Sequence, residues 1–175
     1  MTTLMLVLAC LSPQTEDQKV SDRLTPAYEL LAPAGQTVLF PARPVDLALT
    51  PDGKRLWVKT GGSIRLIDVE TWKEIGTADS KGGASLTGLE LADDGNTALF
   101  SNSKEDIHLF GIKEGKVALS RDITVSKDSY PCGLRFSADS KTLYACLSKK
   151  NVLAVIDYAS GKTAREIPVG VAPYE

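Results

Sequence analysis

Residues 44–58 read PVDLALTPDGKRLWV, and two later stretches of the chain repeat this pattern. Residues 87–100 read TGLELADDGNTALF, and residues 131–144 read PCGLRFSADSKTLY. The turn aspartates Asp52, Asp94 and Asp139 follow one another at intervals of 42 and 45 residues. A period of that length indicates stacked supersecondary units rather than one irregular core. The repeat therefore decides the fold class.

Each copy predicts two antiparallel strands joined by a tight turn. Leu47 and Leu49 alternate with smaller or polar residues, and Pro51-Asp52-Gly53-Lys54 then interrupts the apolar run. Proline presets φ for a turn, aspartate bonds back to the backbone, and glycine accepts a positive φ. Apolar runs on both sides of an Asp-Gly pair favour a hairpin. The third copy has Asp139-Ser140 instead, so we expect a looser turn there.

Two more strands follow each hairpin. The third strands are predicted at residues 63–69, 106–110 and 151–157, and weaker fourth strands at 72–77, 116–120 and 163–169. A unit of four short antiparallel strands in this repeat length is typical of a β-propeller blade. Parallel β-helices have shorter repeats, leucine-rich repeats lack the Asp-Gly hairpin, and the chain has no sustained 3.6-residue apolar period. We predict an all-β fold of about three propeller blades in an incomplete ring.

The third copy carries a family resemblance. Its elements are residues 131–145, then Val152 to Asp157, then Ser160-Gly161-Lys162, and finally Ile167-Pro168-Val169-Gly170. These elements resemble the YVTN-type β-propeller repeat, and the resemblance covers roughly residues 34–175. The first copy has Trp57 where the repeat has tyrosine. The second copy diverges, with Phe110-Gly111 in place of the Ile-Asp pair.

The segment Leu30–Pro41 resembles one particular group of propellers. It is similar to the opening segment of bacterial secreted propellers that often carry a C-terminal phosphoesterase domain of the alkaline-phosphatase type. No phosphoesterase residue of that kind falls within these 175 positions. Related folds include sugar lactonases, haem-d1 reductases, surface-layer proteins and quinoprotein-like dehydrogenases, so the repeat type does not fix an activity.

Two functions remain open on this resemblance. The first is a non-catalytic extracytoplasmic binding or scaffold module within a larger protein. The second is part of a propeller enzyme, lactonase-like or quinoprotein-like, whose active site is completed by further blades. Few carboxylates or histidines fall near the expected channel, which favours the first function. No catalytic residue, metal ligand or cofactor is assigned.

The domain prediction places a partial propeller at residues 34–175. Blades are expected near residues 44–80, 86–121 and 131–169, and a fourth is expected to begin near 171 because Pro173 lies 42 residues after Pro131. Four to eight blades usually close a ring, and the resemblance implies seven. The expected partners are therefore the remaining blades and a possible C-terminal domain of the same chain. Ring closure by identical chains is the alternative.

Gln36–Phe40 is predicted to form a lone strand ahead of the first blade. In closed propellers an N-terminal strand often completes the last blade. We therefore expect this strand to be poorly paired here, or to pack against a wrong neighbour.

The N-terminus predicts export. Residues 1–11 form a signal-like or lipoprotein-type segment whose apolar run, Leu4–Leu11, is too short for a membrane helix. Residues 7–10 read VLAC and resemble a bacterial lipobox, with Cys10 as the lipid-attachment residue and residues 12–33 as a polar linker. The first alternative is a clipped or mis-started signal peptide in which Cys10 is incidental, and the second is a cytosolic protein. The lipobox and the signal peptide both place the protein outside the cytoplasm, as a periplasmic, secreted or lipid-anchored bacterial protein that meets a membrane only through that anchor.

Charge and cysteine placement restrict other functions. The chain has 20 basic and 22 acidic residues, which argues against nucleic-acid binding. With an unshifted register in the third hairpin, Ser137 faces Thr142 and Cys132 faces Leu147. Cys146 then points to the opposite face, because side chains alternate along a strand. We expect two buried free thiols.

The single histidine and the aspartates are predicted to be structural. A zinc site usually draws on several histidine or cysteine ligands, and a Ser-His-Asp site would have to use His108, which lies in an apolar strand pattern. The three turn aspartates are explained by their turns. Asp68 and Asp157 end third strands, and we expect each to bond to the backbone of the following turn.

Ligands are expected at the loops that lead into the innermost strands. The side chains predicted to face a ligand there are Arg43, Asp46, Tyr130 and Tyr174. Connecting loops carry binding residues more often than strands do. The alternative is that these side chains only cap the channel, leaving a protein or small-molecule ligand unidentified.

Overall fold

The computed structural model describes Gly35 and residues 37–175, and the strands lie within the compact unit Phe40–Glu175. The strands are β1 (Pro44–Leu49), β2 (Arg55–Thr60), β3 (Ser63–Asp68), β4 (Lys73–Asp79), β5 (Leu89–Leu91), β6 (Thr97–Ser101), β7 (Asp106–Lys113), β8 (Lys116–Thr124), β9 (Pro131–Phe136), β10 (Thr142–Leu147), β11 (Val152–Asp157) and β12 (Lys162–Pro168). In the part of the chain that the structure describes, no helix is long and apolar enough to cross a membrane.

Consecutive strands pair antiparallel and form three four-stranded sheets, β1–β4, β5–β8 and β9–β12. We call these sheets blades 1, 2 and 3. The first strand of each blade, β1, β5 or β9, lies at one edge of its sheet, and the fourth lies at the other. This arrangement confirms the predicted all-β fold of four-stranded antiparallel blades in an open array.

The tight turn between the first and second strands closes in the same way in blades 1 and 3. The Gly53 N–H donates to the Thr50 carbonyl at 2.8 Å, and the Ser140 N–H donates to the Ser137 carbonyl at 2.9 Å. Ser140 adopts a φ of 53°, so serine takes the left-handed conformation that glycine takes in blade 1. The expected looser third turn was therefore wrong.

A β-bulge recurs between the third and fourth strands of every blade. The register shifts between Leu66 and Ile67, between Leu109 and Phe110, and between Val155 and Ile156. A bulge bends its strand and increases the local right-handed twist. All three blades therefore share this bulge, although the turn pattern alone does not predict it.

The hydrophobic core lies between the blades. One cluster, between blades 1 and 2, includes Trp57, Ile64, Phe100 and Phe110, and a second cluster, between blades 2 and 3, includes Leu99, Ile107, Leu143 and Ile156. Adjacent residues of β6 belong to different clusters because successive side chains of a strand point to opposite faces. Blade 2 therefore buries both faces, which explains its apolar strands without strict alternation.

The third hairpin corrects one register prediction. The Ser137 N–H donates to the Thr142 carbonyl at 2.8 Å, as predicted. Leu147, however, pairs with Pro131 rather than with Cys132, because the register shifts between Ala145 and Leu147. The two thiols of this hairpin are nevertheless free and buried, as predicted.

Residues 37–40 form no strand, so the lone strand predicted over Gln36–Phe40 is not seen where the structure describes it. Gln36 itself lies outside the described residues. The ring of Phe40 instead lies against the Arg65 guanidinium, 5.1 Å from the ring centroid. The predicted signal segment, Cys10 and the whole linker also lie outside the described residues.

Candidate functional site

The innermost strands β1, β5 and β9 lie next to one another and border two depressions. The first, which we call the axial cavity, has a volume of about 410 Å³ and is bordered by residues that include Asp46, Glu90 and Glu175. The second, which we call the inner groove, has a volume of about 460 Å³ and runs from Leu47 and Leu49 to β9. Both volumes fall in the range typical of small-molecule sites.

Asp46 ties blade 1 to blade 2. Its Oδ1 accepts from the Leu47 N–H and its Oδ2 from the Leu89 N–H, both at 2.9 Å. The innermost strand of a blade has an unpaired edge, so its N–H groups need acceptors from outside the sheet. The Asp46 carboxylate supplies such an acceptor to Leu89, across the boundary between blades 1 and 2.

Glu90 makes the corresponding tie from blade 2 to blade 3. One carboxylate oxygen accepts from the Phe136 N–H at 3.2 Å, and the other accepts from the Arg135 guanidinium at 3.3 Å. The Asp46 and Glu90 carboxylates are therefore engaged by the protein itself. The Arg135 side chain remains 81% exposed, and it is the cationic group that the axial cavity and the inner groove share.

Two glycines let neighbouring backbones approach closely here. Gly88 and Gly133 both lie six residues before the aspartate of their turns. A Cβ on Gly88, whose φ is +89°, would stand 2.0 Å from the Cys132 carbonyl oxygen. A Cβ on Gly133 would stand 2.6 Å from the Tyr174 carbonyl oxygen, which accepts from the Gly133 N–H at 2.7 Å. Both sites exclude larger residues because the obstacle is backbone.

Tyr130 and Tyr174 lie together. Burial, with Tyr174 nearby, raises the pKa of Tyr130 above its usual value. The Lys149 ammonium lies 5.5 Å from the Tyr130 ring centroid. Of the four residues predicted to face a ligand, only Asp46 borders the axial cavity; Arg43 is exposed in the segment before β1. The four predicted ligand-facing residues therefore do not form one cluster. Two are neighbouring tyrosines, Asp46 is hydrogen-bonded within the protein, and Arg43 is exposed.

Sequence reasoning missed several residues of this region. Glu90, Arg135, Tyr144 and Cys146 border the axial cavity. Glu90 and Arg135 each lie four residues before their turn aspartate, so an alignment of the repeats would have paired them. Tyr144 and Cys146 gave no such signal, because they lie within an apolar strand.

Lys59 is the most unusual polar residue of the described chain, because its side chain is fully buried between blades 1 and 2. Its Nζ donates to the Ser101 hydroxyl at 3.0 Å, to the Ser85 hydroxyl at 3.1 Å, and to the carbonyls of Thr87 and Gly88. Burial lowers the pKa of Lys59 to about 7. Nothing in the apolar run before Lys59 indicated this site.

His108 is also buried, and it connects β7 to two neighbouring segments. Its Nδ1 lies 2.6 Å from the Asp122 carboxylate, and its Nε2 lies 2.8 Å from the Lys81 carbonyl. The ring of His108 thus contacts a carboxylate on one side and a backbone carbonyl on the other. The segment Lys81–Ser85 therefore contacts two buried side chains, His108 through the Lys81 carbonyl and Lys59 through the Ser85 hydroxyl.

The aspartates that end the third strands bond as predicted. The Asp68 carboxylate accepts from the Thr71 N–H at 2.7 Å, and the Asp157 carboxylate accepts from the Ser160 N–H at 2.8 Å. Among the described residues, no group of three or more histidine, cysteine, aspartate or glutamate side chains is arranged to hold a metal ion.

No protein-family model and no curated protein matches the sequence. The structure is similar to Kuenenia stuttgartiensis hydrazine synthase, with a TM-score of 0.65 and 22% identity over 81% of this chain and 41% of that one. It is similar to the Myceliophteria thermophila Cps50 (Swd1) β-propeller domain, with a TM-score of 0.62 and 18% identity over 74% of this chain and 44% of that one.

A third similar structure is a "putative 6-phosphogluconolactonase" from Bacteroides fragilis. Its TM-score is 0.61, and the 19% identity extends over 74% of this chain and 40% of that one. The chain thus spans about two fifths of the length of each of these structures. Identities this low carry the fold and not the activity. The three four-stranded sheets and the similarity to these solved structures together identify a β-propeller fold, with three blades in an open array.

Proposed function

We propose that this chain is a binding or scaffold module that works outside the cytoplasm and takes its ligand along the innermost strands. The observation that carries the proposal is the pair of adjoining depressions across β1, β5 and β9. Leu47 and Leu49, which border the inner groove, are 59% and 56% exposed. A contiguous apolar surface beside a cation is typical of an interaction site.

The side chains that border the axial cavity and the inner groove favour one kind of ligand. The Asp46 and Glu90 carboxylates are already bonded within the protein, whereas the Arg135 guanidinium is largely exposed. A ligand with an apolar body and an acidic group fits this combination, because the leucines cover the body and the guanidinium pairs with the acid.

The dye 1-anilinonaphthalene-8-sulfonate has this chemistry and serves as the probe. Titration of the folded chain is expected to show saturable fluorescence that weakens severalfold in the Leu49→Ser and Arg135→Gln variants. Leu119→Ser is the matched control, because Leu119 is 40% exposed on the outermost strand of blade 2. Equal binding by wild type and both groove variants would contradict the proposal.

A propeller enzyme is the second candidate, and it is supported by the similarity to the Bacteroides fragilis structure. Incubation of the chain with 6-phosphogluconolactone separates the two candidates. We expect hydrolysis at the buffer rate. Faster hydrolysis that a Glu90→Gln variant abolishes would favour the enzyme.

We also propose that the three blades belong to a larger, seven-bladed propeller that is followed by a phosphoesterase domain in the same protein, and that Cys10 carries a lipid. The match covers only 40–44% of each similar structure, which supports a larger ring. An immunoblot of the native protein is expected to show a polypeptide well above 18.7 kDa. Labelling with radioactive palmitate is expected for wild type and not for Cys10→Ser.

A further inference from the structure

The seam between blades 1 and 2 contains a buried amine whose surroundings suit either protonation state. All four oxygens that contact the Lys59 Nζ come from Ser85, Thr87, Gly88 and Ser101. On another side the Phe100 ring centroid lies 4.7 Å from the Nζ. None of these groups carries a formal charge, so a buried ammonium here loses its hydration without gaining a contacting carboxylate.

The two serine hydroxyls can adjust to the protonation of Lys59. The Ser85 and Ser101 hydroxyl oxygens lie 2.7 Å apart, and each also lies within 3.1 Å of a carbonyl oxygen. With an ammonium, both hydroxyls donate to other oxygens and accept from the Nζ. With a neutral amine, one hydroxyl turns and donates to the nitrogen lone pair, because a hydroxyl is both donor and acceptor. Hydrogen bonding is satisfied in both states, so they differ mainly in buried charge.

We propose that Lys59 is a proton-controlled clamp of the seam between blades 1 and 2, which is tightest with the amine neutral and loosens when the amine is protonated. The clamp also borders the ligand surface, because Gly88 accepts from Lys59 and lines the axial cavity.

The charged and titratable groups around Lys59 are few. Asp46 on β1 and Cys132 on β9 both favour the ammonium, but burial outweighs them and lowers the pKa of Lys59 from 10.5 to about 7. His108 on β7 lies beyond the Phe100 ring, with 6.1 Å between the ring centroids. Burial therefore decides the preferred state.

The sign of the pH dependence follows from proton binding. Between about pH 7 and 10.5 the folded chain binds fewer protons at Lys59 than the unfolded chain does. Stability therefore rises with pH across this window and is lost as pH falls toward 7. One fully linked proton changes the unfolding equilibrium constant about tenfold per pH unit.

The first test compares urea unfolding of wild type and Lys59→Met between pH 6 and 10. Methionine keeps an unbranched apolar stem and removes the titrating group. The wild-type unfolding constant, divided by that of the variant, is expected to fall about tenfold per pH unit above pH 7 and to be flat below it. Lys54→Met, which removes an exposed lysine of the same hairpin, is expected to parallel the wild type. Parallel curves for wild type and Lys59→Met would overturn the proposal.

A second pair of measurements keeps Lys59 in place and stands even if Lys59→Met does not fold. The ¹³Cε resonance of Lys59 is expected to titrate near pH 7, well below the usual lysine pKa of 10.5. In a Trp72→Phe background, the emission of Trp57 is expected to shift with the same midpoint, because Trp57 is fully buried in this seam. A Lys59 midpoint near 10 would refute the clamp, as would a Trp57 emission that does not change.

Discussion

Replacing Gly88 by alanine tests how closely blades 2 and 3 approach each other. The added Cβ would stand 2.0 Å from the Cys132 carbonyl oxygen and 2.1 Å from the Ser101 Oγ. Ordinary contact begins at about 3.4 Å. The Cys132 oxygen belongs to the backbone of β9, so a side-chain rotation does not relieve the contact, and the blades must separate by about 1.4 Å, the difference between 3.4 and 2.0 Å.

Two effects combine in this variant. Overpacking of a well-packed region costs about 1–3 kcal/mol. The φ of +89° at this position adds about 1–2 kcal/mol for a residue with a Cβ. We expect the free energy of unfolding to fall by about 2–5 kcal/mol, and the urea midpoint to fall by at least about 1 M.

Gly115→Ala is the matched control because it shares only the backbone effect. Gly115 has a φ of +75°, and a Cβ there would have no atom within 4 Å. Urea unfolding of both variants, followed by circular dichroism, isolates the steric contribution. We expect Gly88→Ala to lose about 1–3 kcal/mol more than Gly115→Ala. Equal losses would show that the blades do not meet at Gly88.

Three further predictions concern buried and turn groups. His108→Gln is expected to lower the free energy of unfolding by about 1–3 kcal/mol, because it removes a buried ring that contacts both the Asp122 carboxylate and the Lys81 carbonyl; urea unfolding measures this, and an unchanged midpoint would contradict a stabilising role for these two contacts. Burial raises the pKa of the Cys132 and Cys146 thiols, so a Cys10→Ser chain at pH 8 is expected to react with Ellman's reagent slowly when folded and rapidly in urea; rapid reaction of the folded chain would count against burial. Hydrogen bonds from Ser160 lower the pKa of Asp157 below 3.8, so the stability from this carboxylate is present above that pH and lost as pH falls through the lowered value; acid titration of Asp157→Asn is expected to show a shallower loss than wild type, and identical titrations would argue against this tie.

Local signals in the repeat predicted most of the fold. The Pro51-Asp52-Gly53 turn and its two later copies gave the hairpins, because turn residues act through their own backbone preferences. The capping roles of Asp68 and Asp157 followed from the same local chemistry. The register beyond Ala145 did not follow, because a bulge is decided by what packs on each side of the strand.

The candidate site was predictable only in part. Asp46 was identified because the sequence pattern placed it in the loop that leads into an innermost strand, yet it lies within β1 and its carboxylate accepts from a backbone N–H of the next blade. Lys59 gave no local signal at all, since a lysine at the end of an apolar strand usually reaches solvent. Its burial depends on Ser85 and Ser101, which lie 26 and 42 residues further along the chain.

By itself the sequence determined the blades: their number in this segment, the strand order within each, and the turns that join the strands. These features depend on neighbours a few residues apart, which a repeated pattern records directly. Only the tertiary structure decided how the blades meet: the close approach at Gly88, the carboxylate tie of Asp46, and the amine buried at Lys59. Those features arise where residues about forty positions apart share one seam, and there burial and distance set the chemistry of each group.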